Sequence, residues 1–305
     1  MKIRLAATIG VLAAFFFTSF ARAQDLRAKI EAFYSQSDSV TNDKDLDGCV
    51  SLLTEDYRIL LSGMDREGAR NTTKSVMSSY EEIQMQSTPL EISQYGEFIK
   101  VLVHSKVRVK TKDGDWADLV EIHSFDYLRY EGGSLKAARS VEIDKTRLDF
   151  IKGQTYGDAD APLAFTAPNG WGIIPVAYPS PAMKGAVLVL PPDLNSMAFA
   201  AYLKAPGISA KQAVESDEAV TKALSKDSVY ELYKSGTVDI GSYEGFETES
   251  KFILPNNVDI RHRHRVYFKA HGNLYVLFFD AIPFTRLNEV KEGFQSILTS
   301  VKVDD

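Results

Sequence analysis

Cysteine is all but missing from this 305-residue chain: Cys49 stands alone. A lone thiol rules out an internal disulfide, and a chain of this length buries enough surface to hold together without one. Cys49 is expected as a small buried apolar side chain, as free cysteines usually are. Long apolar runs are scarce as well. Beyond residue 20 the longest is Leu274 to Ile282, broken by Asp280, and a membrane-spanning helix needs ~20 residues. Positive charge is in deficit, with 35 Lys and Arg against 41 Asp and Glu. The resulting net charge of -6 speaks against nucleic acid, which wants a basic footprint, and against anionic membrane surfaces. There is no Gly-x-Ser-x-Gly elbow, no His-Glu-x-x-His helix and no glycine-rich phosphate loop. No cofactor and no metal is expected.

The first residues carry an address. Lys2 and Arg4 precede an apolar run from Leu5 to Phe20, and Ala21-Arg22-Ala23 follows. A positive start, an apolar middle and a small-residue cleavage site make a secretory signal peptide over residues 1–23. The expectation is an exported protein, periplasmic or secreted, cleaved near Ala23. Losing Lys2, Arg4 and Arg22 takes the net charge to roughly -9.

The remainder reads as two halves, residues 24–151 and 162–305, joined by a linker over 152–161 that is rich in glycine and aspartate. The first half opens with a helix, since Leu26, Ile30, Phe33, Tyr34 and Ser37 fall at helical spacing. A short helix from Asp47 to Leu53, a strand from Tyr57 to Leu61 and a helix from Asp65 to Ile83 follow. Val101, Val103, Val107 and Val109 alternate with polar residues, as on a half-buried strand. Asp113-Gly114 is a hairpin signal, with a returning strand from Trp116 to Tyr130. A long strand from Leu135 to Phe150 closes the half. Helices then a meander predict an α+β domain with helices on one sheet face.

Asp45-Leu46-Asp47 before the short helix, and Glu55-Asp56-Tyr57 leading into the first strand, resemble the cone-shaped SnoaL-like and ketosteroid-isomerase-like superfamily. That resemblance, over about Gln24 to Asp149, implies a curved antiparallel sheet and a pocket between helices and sheet. It does not imply catalysis, because many members only bind or assemble.

The second half runs from Phe165-Thr166-Ala167-Pro168-Asn169-Gly170-Trp171 through a short strand at Ala186 to Leu190. A helix over Ser209 to Ser225 follows, with Ser209 as N-cap. Four strands come next, Tyr230–Ile240, Tyr243–Leu254, Asp259–Ala270 and Asn273–Ile282. A closing helix from Arg286 to Val301 buries Leu287, Val290, Phe294, Ile297 and Leu298. The opening string, the meander and Phe294-Gln295-Ser296-Ile297-Leu298 resemble the PsbP and Mog-like group over about Ala161 to Val303. That resemblance implies an α/β/α sandwich with an antiparallel sheet. It implies no shared catalytic residues, and members are mostly assembly or binding modules.

Three constellations invite chemistry. Asp43-Lys44-Asp45-Leu46-Asp47-Gly48 starts like a calcium loop, but position 12 holds Thr54 instead of glutamate. An acidic N-terminal cap to the second helix, favoured by the helix dipole, is the preferred reading. A two-residue turn at Asp113-Gly114 sets His104 opposite His123, on an outer face shared with Leu102, Phe125 and Tyr127. That face is read as an interdomain or homodimer contact. The same register turns Ser105, Asp118, Ser124 and Asp126 inward, toward Tyr34 and Tyr57. An acid beside a tyrosine can shuttle a proton and stabilise an oxyanion.

The third is Arg261-His262-Arg263-His264-Arg265, arginines on one strand face and histidines on the other. A turn at Asn256-Asn257 puts Glu249 opposite His264 and Lys251 opposite His262. A turn at His271-Gly272 puts Asp280 opposite Arg263. Charge pairing across the sheet accounts for the string. An anion or an acidic partner on Arg261, Arg263 and Arg265 is the second reading. A metal on the two histidines needs a third ligand nearby.

The sequence thus points to an exported, non-catalytic binding or assembly protein for a small ligand or protein partner. Tyr34, Tyr57, Ser105 and Ser124 are its candidate ligand groups. The alternative is an isomerase or hydro-lyase with Asp118 or Asp126 as base and Tyr57 as donor. Assembly at a membrane complex is a third.

Overall fold

The structure, a computed structural model, describes residues 24–158, 162–177, 183–203, 205, 207–225, 229–253 and 259–303. The fold is α+β, with helices on antiparallel sheets. It forms two compact units. One holds the described residues up to Tyr57 with Ala69–Gln94 and Phe98–Ala138; the other holds Arg58–Gly68, Tyr95–Glu97 and the described residues from Arg139 onward. The signal segment and the Asn256-Asn257 turn lie outside the described residues, as do residues 159–161 of the linker.

The first unit begins with helix α1, residues 24–42. Ile30, Phe33 and Tyr34 are buried at helical spacing, which is why this stretch folds as an amphipathic helix. Helix α2, Leu46–Ser51, is capped by Asp45, whose carboxylate accepts from the Gly48 N–H at 2.9 Å. The acidic string is therefore a helix start. Gly48 is needed there because a Cβ would lie 2.3 Å from Asp45 Oδ2.

Strand β1 (Leu53–Ile59), helix α3 (Arg66–Ser79) and strands β2 (Glu82–Tyr95), β3 (Phe98–Lys110), β4 (Trp116–Glu131) and β5 (Ser134–Ile143) follow. The sheet order is β1-β5-β4-β3-β2. Two expectations change here. Helix α3 stops at Ser79, and β2 is a strand that the periodicity does not reveal. As the sheet edge it tolerates Pro89 and needs no apolar stripe on either face. The last strand ends at Ile143 instead of Phe150. Asp144 accepts from the Thr146 N–H and starts a 3-10 turn over Lys145–Phe150.

The β3–β4 hairpin corrects the turn. The Thr111 N–H donates to Asp115 O, so Lys112, Asp113 and Gly114 form a three-residue loop, with Gly114 at φ +90°. The added residue is offset by a bulge between Val107 and Arg108. Beyond the bulge His104 faces His123, as the two-residue turn predicts.

The second unit contains a small sheet, β6 (Ile151–Lys152), β7 (Thr155–Asp158) and β8 (Leu163–Thr166), and a seven-stranded one. The latter comprises β9 (Gly172–Pro175), β10 (Met183–Leu190), β11 (Met197–Leu203), β12 (Glu231–Ile240), β13 (Tyr243–Phe252), β14 (Arg261–Ala270) and β15 (Asn273–Ala281), ordered β12-β13-β14-β15-β11-β10-β9. Helix α4, Ala210–Leu224, starts with a capping box between Ser209 and Gln212. Its Asp217, Glu218 and Thr221 meet Arg265 on one sheet face. Helix α5, Leu287–Ser300, lies on the other, where Phe294 packs on Phe279 at 5.2 Å. Val290, Phe294, Ile297 and Leu298 are its buried stripe, each worth about 2 kcal/mol of burial. Both predicted registers hold: Glu249 pairs His264, Lys251 pairs His262 and Asp280 pairs Arg263.

Candidate functional site

The first unit gathers a polar cluster between α1 and the sheet. Tyr34 Oη donates to Asp126 Oδ2 at 2.9 Å, and Ser124 Oγ donates to Asp126 Oδ1 at 3.3 Å. Helical spacing turns Tyr34 to the buried side of α1, and strand alternation puts Ser124 and Asp126 on one face of β4. Burial raises the Tyr34 phenol well above its ordinary pKa, with the Asp126 charge adding to it. Tyr34 is thus a hydrogen-bond donor.

One turn further along α1, Asp38 enters the same region. Its Oδ2 accepts from the Ser87 N–H at 2.8 Å, and Ser87 Oγ lies 3.3 Å from Ser105 Oγ. Asp38 Oδ1 is buried and has no partner among the described residues. Burial raises the Asp38 pKa, opposed by the Ser87 hydrogen bonds. Asp38 is not among the residues expected from sequence, although the i, i+4, i+8 series Ile30, Tyr34, Asp38 carries it on the buried stripe.

Of the expected site residues, the structure brings Tyr34, Ser124 and Asp126 together and sets Ser105 in the neighbouring chain of hydrogen bonds. Tyr57 is buried in β1. Asp118 is a correction. It does not face inward, because the extra residue Leu119 in β4 sets it opposite Arg108, whose Nε lies 3.0 Å from it, and its side chain is 86% exposed. A cleft of about 660 Å³ opens elsewhere in this unit, lined by Lys29, Phe33, Gln36, Tyr130 and Lys136 among others. Its two lysines are already paired, Lys29 with Asp25 and Lys136 with Glu131.

His104 and His123 stack with ring centroids 4.6 Å apart, and His104 Nε2 lies 2.8 Å from Glu121 Oε1. Leu102, Phe125 and Tyr127 on that face are buried. Cys49 is half-buried, its sulfur 3.6 Å from Thr41 Oγ1. Burial raises its thiol pKa, which makes it a poor nucleophile.

The arginine row of the second unit is matched by acids. Arg263 grips Asp280 at 2.5 and 2.6 Å, and Arg261 lies 3.5 Å from the same carboxylate. Arg265 donates to Asp217, Glu218, Ser250 and Thr221. Three guanidiniums face three carboxylates, so this face carries a balanced ion-pair network. Asp217 and Glu218 come from α4, a helix docking that local sequence pattern does not show. On the opposite face of β13 and β14, His264 Nε2 is 2.7 Å from Glu247 and His262 Nε2 is 3.4 Å from Glu249.

No helix among the described residues is long and apolar enough to cross a membrane. No known protein family matches the sequence, and no curated protein does. Solved structures similar to part of the chain include a hexachlorocyclohexane dehydrochlorinase, at 14% identity over 39% of this chain and 85% of that one, with a TM-score of 0.34. A Mycobacterium tuberculosis protein of unknown function matches at 19% identity over 39% of this chain and 76% of that one, with a TM-score of 0.35. Cyanobacterial PsbP from Synechocystis matches at 18% identity over 50% of this chain and 92% of that one, with a TM-score of 0.38.

Proposed function

We propose that the protein is an exported, two-domain binding protein that holds a small ligand at the Tyr34–Asp38–Asp126 cluster without transforming it. The observation that carries this reading is the buried, unpartnered Oδ1 of Asp38. An unpaired buried acceptor costs about 1–3 kcal/mol, and a ligand hydroxyl, amine or amide N–H removes that cost. Asp126 is already occupied by two internal donors, Tyr34 and Ser124, which suits a scaffold better than a free base. Export rests on the signal pattern of residues 1–23. Edman sequencing of the processed protein tests it, with Gln24 the expected first residue.

A second reading is an isomerase or hydro-lyase, with Asp38 as the base in place of Asp118. It is favoured by the raised proton affinity of Asp38, since a general base works best with its pKa moved toward the operating pH. Native mass spectrometry of the protein taken from its extracytoplasmic fraction separates the two. Binding predicts an added small mass in the wild type, absent in Asp38→Asn and Tyr34→Phe, and a released compound that re-incubation leaves unchanged. A compound converted by the wild type but not by Asp38→Asn supports the enzyme. No added mass in the wild type, with no difference among variants, removes the binding reading.

A further inference from the structure

The second unit holds a side-chain cluster that neither ligand binding in the first unit nor the arginine network uses. Strand alternation puts His262 and His264 of β14 on the face opposite the arginines, and the β13–β14 register sets Glu247 and Glu249 beside them. Glu247 is nearly fully buried, and so is His262. One ligand atom each from Glu247, Glu249 and His264 lies within 4.8 Å of the others. Lys234 Nζ lies 2.6 Å from Glu247 and 3.8 Å from Glu249, while Lys251, cross-strand from His262, is 3.7 Å from Glu231.

We propose that Glu247, Glu249 and His264 form a binding site for a divalent transition-metal ion of the zinc class, with His262 as a reserve ligand. Two carboxylates and an imidazole are donors of the type such ions take, and two glutamates neutralise its charge. Metal–ligand bonds of about 2.0–2.2 Å require the three groups to close inward, which rotation of the Glu249 and His264 side chains supplies. Both are partly exposed, at 29% and 20%, leaving a solvent side for entry and for a bound water.

Two further observations suit a bound cation. His262 Nδ1 is buried without a hydrogen-bond partner, so the cluster contains a nitrogen donor that the fold leaves unused. Lys234, which now bridges the glutamates, is 52% exposed. A long, half-solvated side chain is a replaceable counter-charge, and the metal displaces it into water.

The test is zinc titration calorimetry on the untagged, chelator-treated protein, with Co²⁺ absorption as a second readout. One ion per chain is expected. Glu249→Gln and His264→Gln weaken binding by no less than the roughly tenfold that loss of an outer-shell partner costs. Lys234→Met tightens it by removing the competing ammonium. The His104→Gln/His123→Gln double variant, in the other unit, leaves it unchanged. Circular dichroism checks that each variant is folded, and Lys234→Met keeps the test decisive if a ligand variant is not. The proposal fails if the wild type binds no zinc, if Glu249→Gln and His264→Gln bind as well as the wild type, if Lys234→Met binds no tighter, or if the His104 and His123 variant loses the ion.

Discussion

Arg263 holds both oxygens of the Asp280 carboxylate, Nε to Oδ1 at 2.5 Å and Nη2 to Oδ2 at 2.6 Å, and Asp280 is wholly buried. The Arg263 guanidinium also lies 4.4 Å over the Phe278 ring. Removing one partner from a buried pair strands the other charge, at a cost of about 3–5 kcal/mol. Asp280→Asn is therefore expected to lower the urea midpoint severely, since Arg261 loses the same carboxylate. The pair also sets an acid limit. Burial alone raises the Asp280 pKa, but Arg263 overrides it and holds the carboxyl below its ordinary value. A depressed folded pKa contributes stability that is present above the unfolded value, near 3.9, and lost as pH falls through the folded one. Urea midpoints measured from pH 6 downward should fall more steeply for the wild type than for Asp280→Asn.

Asp38 has the opposite sign. Its folded pKa is raised, chiefly by burial, so ionising it at neutral pH costs stability, and the cost is relieved as pH falls toward the unfolded value. Asp38→Asn keeps an oxygen for the Ser87 N–H and removes the charge. It should stabilise the protein at pH 7 by on the order of 1 kcal/mol, as replacing a functional group often does, with the gain shrinking as pH falls through the raised folded pKa and lost below the unfolded value near 3.9. Tyr34→Phe should destabilise by roughly 1.5–3 kcal/mol, because Asp126 loses a donor to a charged acceptor. Thermal melts at pH 7 and pH 3.5 decide both, and a Tyr34→Phe melt equal to the wild type would remove that bond from the stabilising network.

Much of this architecture is written in short-range pattern. The Ser209 cap, the apolar stripe of α5 and both charged hairpin registers follow from spacing alone, and each is found in place. Strand β2 is not legible, because a polar edge strand has no buried stripe to announce it. The end of β5 is hidden too, since Asp144 stops the strand by capping a turn while the apolar residues run on. For the candidate site, Tyr34 meets Asp126 as helix and strand alternation imply. Asp118 does not join them, because one bulged residue of β4, Leu119, flips the β4 side chains from there to the turn, and a bulge has no sequence marker here. The glutamate and aspartate that hold Arg265 come from α4, and helix docking is a property of the whole core.

Lys100 gives a third test. Burial lowers its pKa to about 8 against the pull of Glu91, and its ammonium sits 3.7 Å from the Phe125 ring centre. A lysine with a lowered folded pKa costs stability below that value, and the cost fades as pH rises from about 8 toward the unfolded value near 10.4. Lys100→Met fills the same stem volume without the charge. It should melt higher than the wild type at pH 7, with the two curves drawing together by pH 10. A gap that stays constant across that range would mean that apolar packing of the side chain, and not the charge of the ammonium, sets the difference.

Gly293 sets helix propensity against packing. It sits inside α5, where alanine is favoured over glycine by about 1 kcal/mol. Yet a Cβ there would lie 2.5 Å from Trp171 Cζ2 and 2.7 Å from its Cη2. Trp171 is fixed on its other contact, edge-on to Phe294 at 5.8 Å, so the indole has to slide off the helix to make room. Overpacking of this kind costs about 1–3 kcal/mol, more than the propensity gain at its upper range. Gly293→Ala is therefore expected to destabilise the second unit by about 1 kcal/mol, and to shift Trp171 fluorescence toward the red as the ring gains solvent. Trp171→Leu should reverse the sign. Without the indole against the helix, Gly293→Ala becomes neutral or stabilising, and a double-mutant cycle on the two positions reads the coupling directly.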